Sequence, residues 1–222
     1  MRLAVPFLTL AFAAGGLSAA ATIGAPGAPA PVRFGHADLA TGIRIRYAEA
    51  GDPAGDPIIM LHGYSDSWYS FSPIMPLLES RYRLLSLDQR GHGASDQPAS
   101  GYGLRDLAED VVAFMDEMKI ERATIVGHSM GSLVAQQLGV IAPGRIDRLV
   151  LVGSGTDFAQ MNDVKAFSDA VHSLTDPVPL EFIREFQEST IHHPVPKAFL
   201  DSVVGESTRL SARVSIPARA SQ

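Results

Sequence analysis

The sequence predicts an α/β protein in which a mostly parallel β-sheet carries helices on both faces. The first observation is a series of short apolar runs, such as 58–61 and 83–87, of the kind that form buried parallel strands. The second is a helical pattern between them, clearest over 104–118, where apolar residues recur three and four positions apart. The third is the regular alternation of the two, which is typical of βαβ units.

The predicted elements follow one another with short connections. Strands are predicted at 32–37, 43–50, 58–61, 83–87, 123–126 and 148–152. Helices are predicted at 67–79, 104–118 and 132–142, and then at 158–174, 180–188 and 197–210. Pro73 and Pro76 make the first helix short or irregular, because proline removes a helical hydrogen bond and clashes with the preceding turn. The last helices follow one another with no strand between them, which indicates a separate helical segment.

The composition fits one globular domain and excludes several classes of function. The chain has 222 residues, of which 46% are apolar and 19% charged, unlike a disordered protein. Its net charge is −6 and it has no long basic run, so nucleic-acid binding has no support. The absence of cysteine from the sequence excludes disulfides, thiol catalysis and cysteine-ligated metals.

The N-terminus is predicted to be a secretory signal peptide over residues 1–21. Arg2 precedes an apolar run, and the alanines at 19–21 offer a cleavage site for signal peptidase. An uncleaved membrane anchor is the alternative, but the apolar run is short for a membrane span. Residues 22–31 are rich in Pro, Gly and Ala and predict a semi-extended linker. The mature protein is therefore expected to be secreted or periplasmic, with no stable membrane insertion.

A short motif joins the strand at 123–126 to the helix at 132–142. The motif is Gly127-His128-Ser129-Met130-Gly131. A strand that turns sharply into a helix through G-x-S-x-G forms a nucleophile elbow, and its glycines permit a turn where a side chain would clash. The serine hydroxyl then lies at the N-terminus of the helix, where backbone N–H groups can bind an oxyanion. Ser129 is therefore the candidate nucleophile, the alternative being a turn serine that caps the helix.

Two further motifs precede this one in the order seen in a known family. Leu61-His62-Gly63-Tyr64 follows the third predicted strand, and Asp-Gln-Arg-Gly-His-Gly-Ala-Ser at 88–95 follows the fourth. With the serine motif after the fifth strand, the chain resembles the α/β-hydrolase family over most of its length. It is most similar to the lipase, esterase and haloperoxidase-like branch with a helical cap. The resemblance implies an α/β-hydrolase core at 32–155, a helical cap segment at 156–213 and an irregular tail at 214–222.

The resemblance also implies how a substrate would be held. The backbone N–H groups of Met130 and Tyr64 form the oxyanion hole, so the identity of these side chains matters little for it. The Tyr64 side chain then either lines the acyl pocket or packs at its rim. The residues expected to support the site are His62, Gly63, Gly127, His128 and Gly131. The residues expected to fix the loop after the fourth strand are Asp88, Arg90 and His92.

The family order places an acid and then a histidine after the nucleophile, and the sequence offers no clear position for either. Between 153 and 222 no apolar strand ends in Asp or His, so the chain is expected to stop before the last two strands of the sheet. Asp157, after the sixth strand, is a candidate acid, the alternative being a helix cap. His192 or His193 is a candidate substitute base, the alternative being a plain loop. The sixth strand is then an exposed sheet edge, through which self-association is expected.

These observations lead to one main functional hypothesis and two alternatives. The main hypothesis is a serine hydrolase acting on an ester or similar acyl bond of a small molecule, without a cofactor or metal. The first alternative is a cofactor-free perhydrolase or haloperoxidase-like enzyme, which would use the same serine. The second is a catalytically inactive relative that only binds small apolar ligands, because a serine without a base is a poor nucleophile.

Overall fold

The structure is a computed structural model that describes residues 31–155 and 162–214, with only the backbone described at 162–165. The predicted signal peptide, nearly all of the linker, Asp157 and nearly all of the tail lie outside the described residues. Within the described part there is no helix long and apolar enough to cross a membrane.

The described strands form one sheet of six strands. They are β1 (Arg33–Asp38), β2 (Arg44–Gly51), β3 (Asp56–Leu61), β4 (Tyr82–Leu87), β5 (Ala123–His128) and β6 (Ile146–Val152). Their order across the sheet is β1-β2-β4-β3-β5-β6. The pairs β1–β2 and β2–β4 are antiparallel, whereas β4, β3, β5 and β6 run parallel to one another. The predicted mostly parallel sheet is therefore confirmed, and the strand boundaries agree with the apolar runs to within two residues.

Helices connect and cover this sheet. They are α1 (Met75–Leu78), α2 (Leu104–Glu117), α3 (Met130–Ile141), α4 (Asn162–His172), α5 (Leu180–Ser189) and α6 (Lys197–Ser207). The prediction of one helix over 67–79 was wrong, because that segment divides into a 3-10 turn at Trp68–Phe71 and the short α1. Pro76 lies in the first turn of α1, where its missing N–H costs nothing, and so marks a new helix start.

The core lies on both faces of the sheet. On one face α2 and α3 pack on the strands through fully buried side chains such as Phe114, Leu138 and Ile125. On the other face a smaller cluster forms around Met60, Met75 and Leu84. This arrangement leaves the carboxyl ends of β3, β4 and β5 at one edge of the sheet. In open α/β sheets that edge is where ligands bind.

β6 is the last strand of the sheet within the described residues. Its apolar side chains Leu149, Val150, Leu151 and Val152 are between 40% and 48% exposed. A parallel strand is normally buried on both faces, so exposure at this level is unusual for such a sequence. Among residues 31–155 and 162–214, β6 is therefore an exposed edge of the sheet, as predicted.

Candidate active site

Ser129 lies at a sharp turn between a strand and a helix. β5 ends at His128 and α3 begins at Met130, so Ser129 is the only residue between them. Its backbone has φ 50° and ψ −118°, a conformation that residues with a side chain rarely adopt. The turn is held from two sides, because the N–H of Ser129 donates to Val152 O at 2.9 Å and Ser132 Oγ donates to Ser129 O at 2.6 Å.

The two motif glycines are required by close backbone contacts at this turn. A Cβ on Gly131 would lie 2.1 Å from Leu61 O, at the end of β3. A Cβ on Gly127 would lie 2.3 Å from Gly131 O. No carbon can approach an oxygen so closely, so only glycine allows α3 to begin directly against the carboxyl ends of β3 and β5.

The loop after β3 packs against the same turn. A Cβ built on Gly63 would lie 3.2 Å from Ser129 Cβ, 3.2 Å from His128 Nδ1 and 3.2 Å from Asp66 Oδ2. All three atoms lie at this distance from a single point, so they are close neighbours of one another. The loop that carries Tyr64 is thus next to Ser129. Met130 supplies the first N–H of α3, and such an N–H has no acceptor within its own helix.

The side chain of Tyr64 is buried beneath the helical segment. Its ring makes edge-to-face contacts with Phe167 of α4 and Phe186 of α5, at centroid distances of 5.8 and 5.6 Å. Burial raises the pKa of the phenol, so it remains protonated at neutral pH. Its hydroxyl has no hydrogen-bond partner among the described residues. The backbone of Tyr64 therefore lies in the loop beside Ser129, and its ring anchors the loop beneath α4 and α5.

His62 is fixed in one neutral tautomer. Nδ1 lies 2.8 Å from Gly63 O, and Nε2 accepts the N–H of Gln89 at 3.1 Å. An acceptor at Nε2 requires the proton to be on Nδ1. Complete burial lowers the pKa of His62 to about 4, so the ring is uncharged at pH 7. With both nitrogens occupied, this imidazole ties the loop after β3 to the loop after β4 and cannot take the proton of Ser129.

Charged side chains organise the loop after β4. Asp88 is fully buried and accepts hydrogen bonds from Arg46 Nε at 2.5 Å and from the N–H groups of Trp68 and Ala94, both at 2.9 Å. Arg90 binds Asp110 of α2 through two parallel bonds of 2.5 Å each. Such a bidentate pair is geometrically specific, so it sets the position of the loop relative to α2.

His92, in the same loop, is fully buried with its Nδ1 lying 3.1 Å from Arg90 O. Burial, and after it the neighbouring His62, lower the pKa of His92 to about 3. Its Nε2 has no hydrogen-bond partner among the described residues. Like His62, it is uncharged at neutral pH.

His128 lines a cavity of about 360 Å³ together with Phe71 and Val126, which belong to the core cluster on the face of the sheet away from α2 and α3. Its side chain is 43% exposed, and its Nδ1 is 3.8 Å from Asp66 Oδ2. Apolar residues of the helical segment, among them Phe199, Leu200 and Val203, line the same cavity. Asp66 and Gln187 also border this cavity, and neither lies in one of the three sequence motifs.

The remaining candidates do not meet at Ser129 by any described contact. His192 and His193 are exposed in the connection between α5 and α6, and their rings contact each other at a centroid distance of 4.6 Å. Asp157 lies outside the described residues. Among the residues that the structure describes, no group of His, Cys, Asp or Glu side chains could hold a metal ion.

Comparison with known proteins identifies the family. Residues 56–179, more than half of the chain, match the family model of the alpha/beta hydrolase fold. The chain belongs to the α/β-hydrolase family. The motifs at Ser129, at the loop after β3 and at the loop after β4 all fall within the matched residues of this α/β-hydrolase.

Several named proteins are similar to this α/β-hydrolase. Epoxide hydrolase 2 of Caenorhabditis elegans is 32% identical over 119 residues, which cover 53% of this chain and 34% of that protein. A protein of Synechocystis sp., provisionally named a non-heme chloroperoxidase, is 32% identical over 168 residues, which cover 71% of this chain and 59% of that protein. An esterase from Exiguobacterium antarcticum has a TM-score of 0.72 at 25% identity, over 82% of this chain and 70% of that chain.

The α/β-hydrolase chain spans only part of these relatives. It matches between 34% and 59% of the length of the first curated relatives. The solved structures are matched over 64% to 73% of their length.

Proposed function

We propose that this α/β-hydrolase is a serine hydrolase that cleaves an ester or similar acyl bond in a small, largely apolar molecule. The observation that carries the proposal is the backbone of Ser129, held at φ 50° between β5 and α3 with the loop of Tyr64 packed against it. A strained serine at that position has no structural purpose that glycine would not serve better. The similarity to an epoxide hydrolase and to an esterase supports a hydrolytic reaction.

The chemistry follows from the groups at the turn. Ser129 Oγ attacks the acyl carbon and forms a tetrahedral intermediate, and the N–H groups of Met130 and Tyr64 donate to the oxygen that becomes negative. Collapse of the intermediate expels the alcohol and leaves an acyl-serine, which water then hydrolyses. Each backbone donor contributes roughly 3–4 kcal/mol of transition-state stabilisation in enzymes of this kind.

The base that takes the Ser129 proton decides how fast this reaction runs. Both nitrogens of His62 are occupied by loop contacts, and His92 is fully buried and uncharged, so neither is proposed as the base. Asp157 as acid and His192 or His193 as base remain proposals. Without a base, serine hydrolases retain on the order of 10³-fold catalysis from the oxyanion hole and binding. We therefore expect slow turnover, or stoichiometric acylation, unless a base reaches Ser129.

A covalent probe tests the proposal directly. The purified chain is incubated with a fluorophosphonate probe and with p-nitrophenyl acetate, beside Ser129→Ala and a control, Ser202→Ala, whose hydroxyl is exposed on α6. Labelling that is lost in Ser129→Ala and kept in Ser202→Ala supports a nucleophilic Ser129. A wild-type chain that is neither labelled nor active contradicts the proposal. It favours the alternative hypothesis of an inactive relative that only binds ligands.

The second candidate, a perhydrolase, is favoured by one relative, the protein of Synechocystis named for chloroperoxidase activity. In that reaction hydrogen peroxide, in place of water, accepts the acyl group from Ser129 and a peracid leaves. Formation of peracetic acid from acetate and hydrogen peroxide, detected by bromination of monochlorodimedone, separates it from ester hydrolysis.

We also propose that the chain is exported. The support is the apolar run after Arg2 and the alanines at 19–21. N-terminal sequencing of the protein recovered from a periplasmic or culture fraction should then begin at Thr22. A chain recovered with Met1 intact contradicts export by this route.

A further inference from the structure

Gln187 is a buried amide that joins the helical segment to the loop beside Ser129. It lies on α5 and is only 5% exposed. Its Nε2 is 2.8 Å from Asp66 Oδ1, 2.9 Å from Ser65 Oγ and 3.1 Å from Ser207 Oγ. An amide nitrogen carries two hydrogens, so it satisfies both oxygens of the loop, or one of them together with Ser207 of α6.

The loop end of this contact is strained. Ser65 has φ 63° and follows Tyr64 directly. A left-handed conformation costs a residue with a side chain free energy and persists only where its surroundings hold it. The turn has one local backbone bond, from Asp66 N–H to Gly63 O at 3.2 Å. Ser65 is 1% exposed, and Gln187 is the described hydrogen-bond partner of its hydroxyl, so the amide on α5 holds the strained residue.

The carboxylate of Asp66 reinforces the same link. Asp66 is 9% exposed, and a buried carboxylate must be hydrogen-bonded to be tolerated. Oδ1 accepts from Gln187, while Oδ2 faces His128 Nδ1 at 3.8 Å, beyond direct hydrogen-bond distance. Among the described residues, Gln187 is therefore the side chain that donates a hydrogen bond directly to Asp66. Phe186, the neighbour of Gln187 on α5, packs on the ring of Tyr64.

We propose that Gln187 is a positioning residue, which fastens α5 to the loop 63–66 and thereby holds the backbone N–H of Tyr64 in place beside Ser129. It acts through the loop and not on the reacting atoms. The position of α5 then affects the oxyanion hole, since a displacement of α5 moves the backbone N–H of Tyr64. The effect on catalysis rests on the proposed function, whereas the link between α5 and the loop does not.

The test compares Gln187→Leu, which keeps the volume and removes the donor, with Arg184→Ala. Arg184 lies on the same helix one turn earlier, and its contacts are to Glu188 and to Asp201 of α6. Hydrogen exchange measured by mass spectrometry reports the link itself, in a peptide covering the loop 62–68. We expect faster exchange there in Gln187→Leu and no change in Arg184→Ala. Equal exchange in the wild type and Gln187→Leu overturns the link, whether or not the chain is an enzyme.

The second readout is the rate of fluorophosphonate labelling, or kcat where turnover is measurable. An oxyanion donor acts in the transition state, so Gln187→Leu should lower the labelling rate or kcat about 10- to 100-fold with little change in KM. Increased exchange with an unchanged labelling rate overturns the catalytic role. If the wild-type chain is not labelled, the proposed function is contradicted. The exchange result still tests the link between α5 and the loop.

A second pair of variants keeps the test informative if Gln187→Leu folds poorly. Gln187→Glu keeps the shape but sets a carboxylate against Asp66, and it should also loosen the loop. Combining it with Asp66→Asn restores a donor to the pair, so the double variant should recover part of the lost labelling rate. Losses that simply add in the double variant overturn a direct coupling between the two side chains.

Discussion

The N–H of Ser129 donates a 2.9 Å hydrogen bond to the carbonyl oxygen of Val152, the last residue of β6. The bond continues the parallel pairing of β5 with β6 by one residue beyond the end of β5. The backbone of the candidate nucleophile is therefore held by the edge strand as well as by its own helix. Any change that loosens the end of β6 should reach Ser129.

Replacing Ser129 by glycine should relieve backbone strain. The conformation φ 50°, ψ −118° costs a residue with a side chain about 1–3 kcal/mol. Glycine removes this cost but adds roughly 0.5–1 kcal/mol of chain entropy to the unfolded state. We expect the free energy of unfolding, measured by urea titration, to be about 1 kcal/mol higher for Ser129→Gly than for Ser129→Ala. A less stable glycine variant would show that the turn is not strained.

Replacing Gly131 by alanine should damage the fold, unlike the same change at Gly139 in the same helix. A Cβ at 131 would lie 2.1 Å from Leu61 O, whereas at 139 its nearest neighbour is Leu149 Cδ1 at 3.6 Å. We expect Gly131→Ala to cost at least about 3 kcal/mol, since backbone atoms on both sides must move. Gly139→Ala should be neutral or stabilise by up to about 1 kcal/mol. Thermal and urea unfolding of the two variants measure the difference.

Stability should fall as the pH is lowered from 7 to 5. Burial lowers the pKa of His62 to about 4 and that of His92 to about 3, compared with about 6.5 in the unfolded chain. Both rings are neutral in the folded protein throughout this range, so below pH 6.5 the unfolded state binds up to two more protons. Each extra proton lowers the free energy of unfolding by about 1.4 kcal/mol per pH unit. The contribution is fully present above pH 6.5 and is lost progressively toward pH 4 and 3.

Urea titrations at pH 7, 6 and 5 measure this slope. The variant His92→Leu removes one of the two rings, so it should show a shallower dependence on pH than the wild type. A free energy of unfolding that does not change between pH 7 and 5 contradicts the burial of uncharged imidazoles.

The chain should self-associate through β6. Val150 is 44% exposed on this edge strand, and such an edge offers free backbone groups for pairing with another strand. We expect concentration-dependent association in sedimentation velocity, reduced by Val150→Lys. Val140→Lys is the matched control, because Val140 is 72% exposed but lies on α3, away from any strand edge. Equal association in both lysine variants would place the contact elsewhere.

Much of the fold was predictable because its signals are local. The short apolar runs became strands, since parallel strands are buried on both faces and need no polar alternation. The apolar positions of α2, including Leu104, Leu107 and Val111, are buried as their spacing predicts. The segment 67–79 was predictable only in part, because its prolines indicate an irregular helix, whereas the packing of Phe71 and Met75 on the sheet fixes the two separate elements.

The candidate site likewise has one part that is predictable from local sequence and one part that depends on distant residues. The turn at Ser129 is encoded within five consecutive residues, whose glycines are readable without knowing what lies nearby. Gln187 and Asp66 are 121 positions apart, and neither belongs to a motif. Nothing local distinguishes this glutamine from others on polar helix faces, so their contact becomes visible only in three dimensions.

The sequence by itself determined the order of strands and helices, the family, and the serine at the turn, because periodicity and steric demands act between neighbouring residues. Only the tertiary structure decided that His62 and His92 are buried and uncharged, that the ring of Tyr64 lies under α4 and α5, and that Gln187 contacts the loop beside Ser129. Burial and hydrogen-bond partners arise from distant segments that meet only after folding, and they determine the charge and position of each side chain.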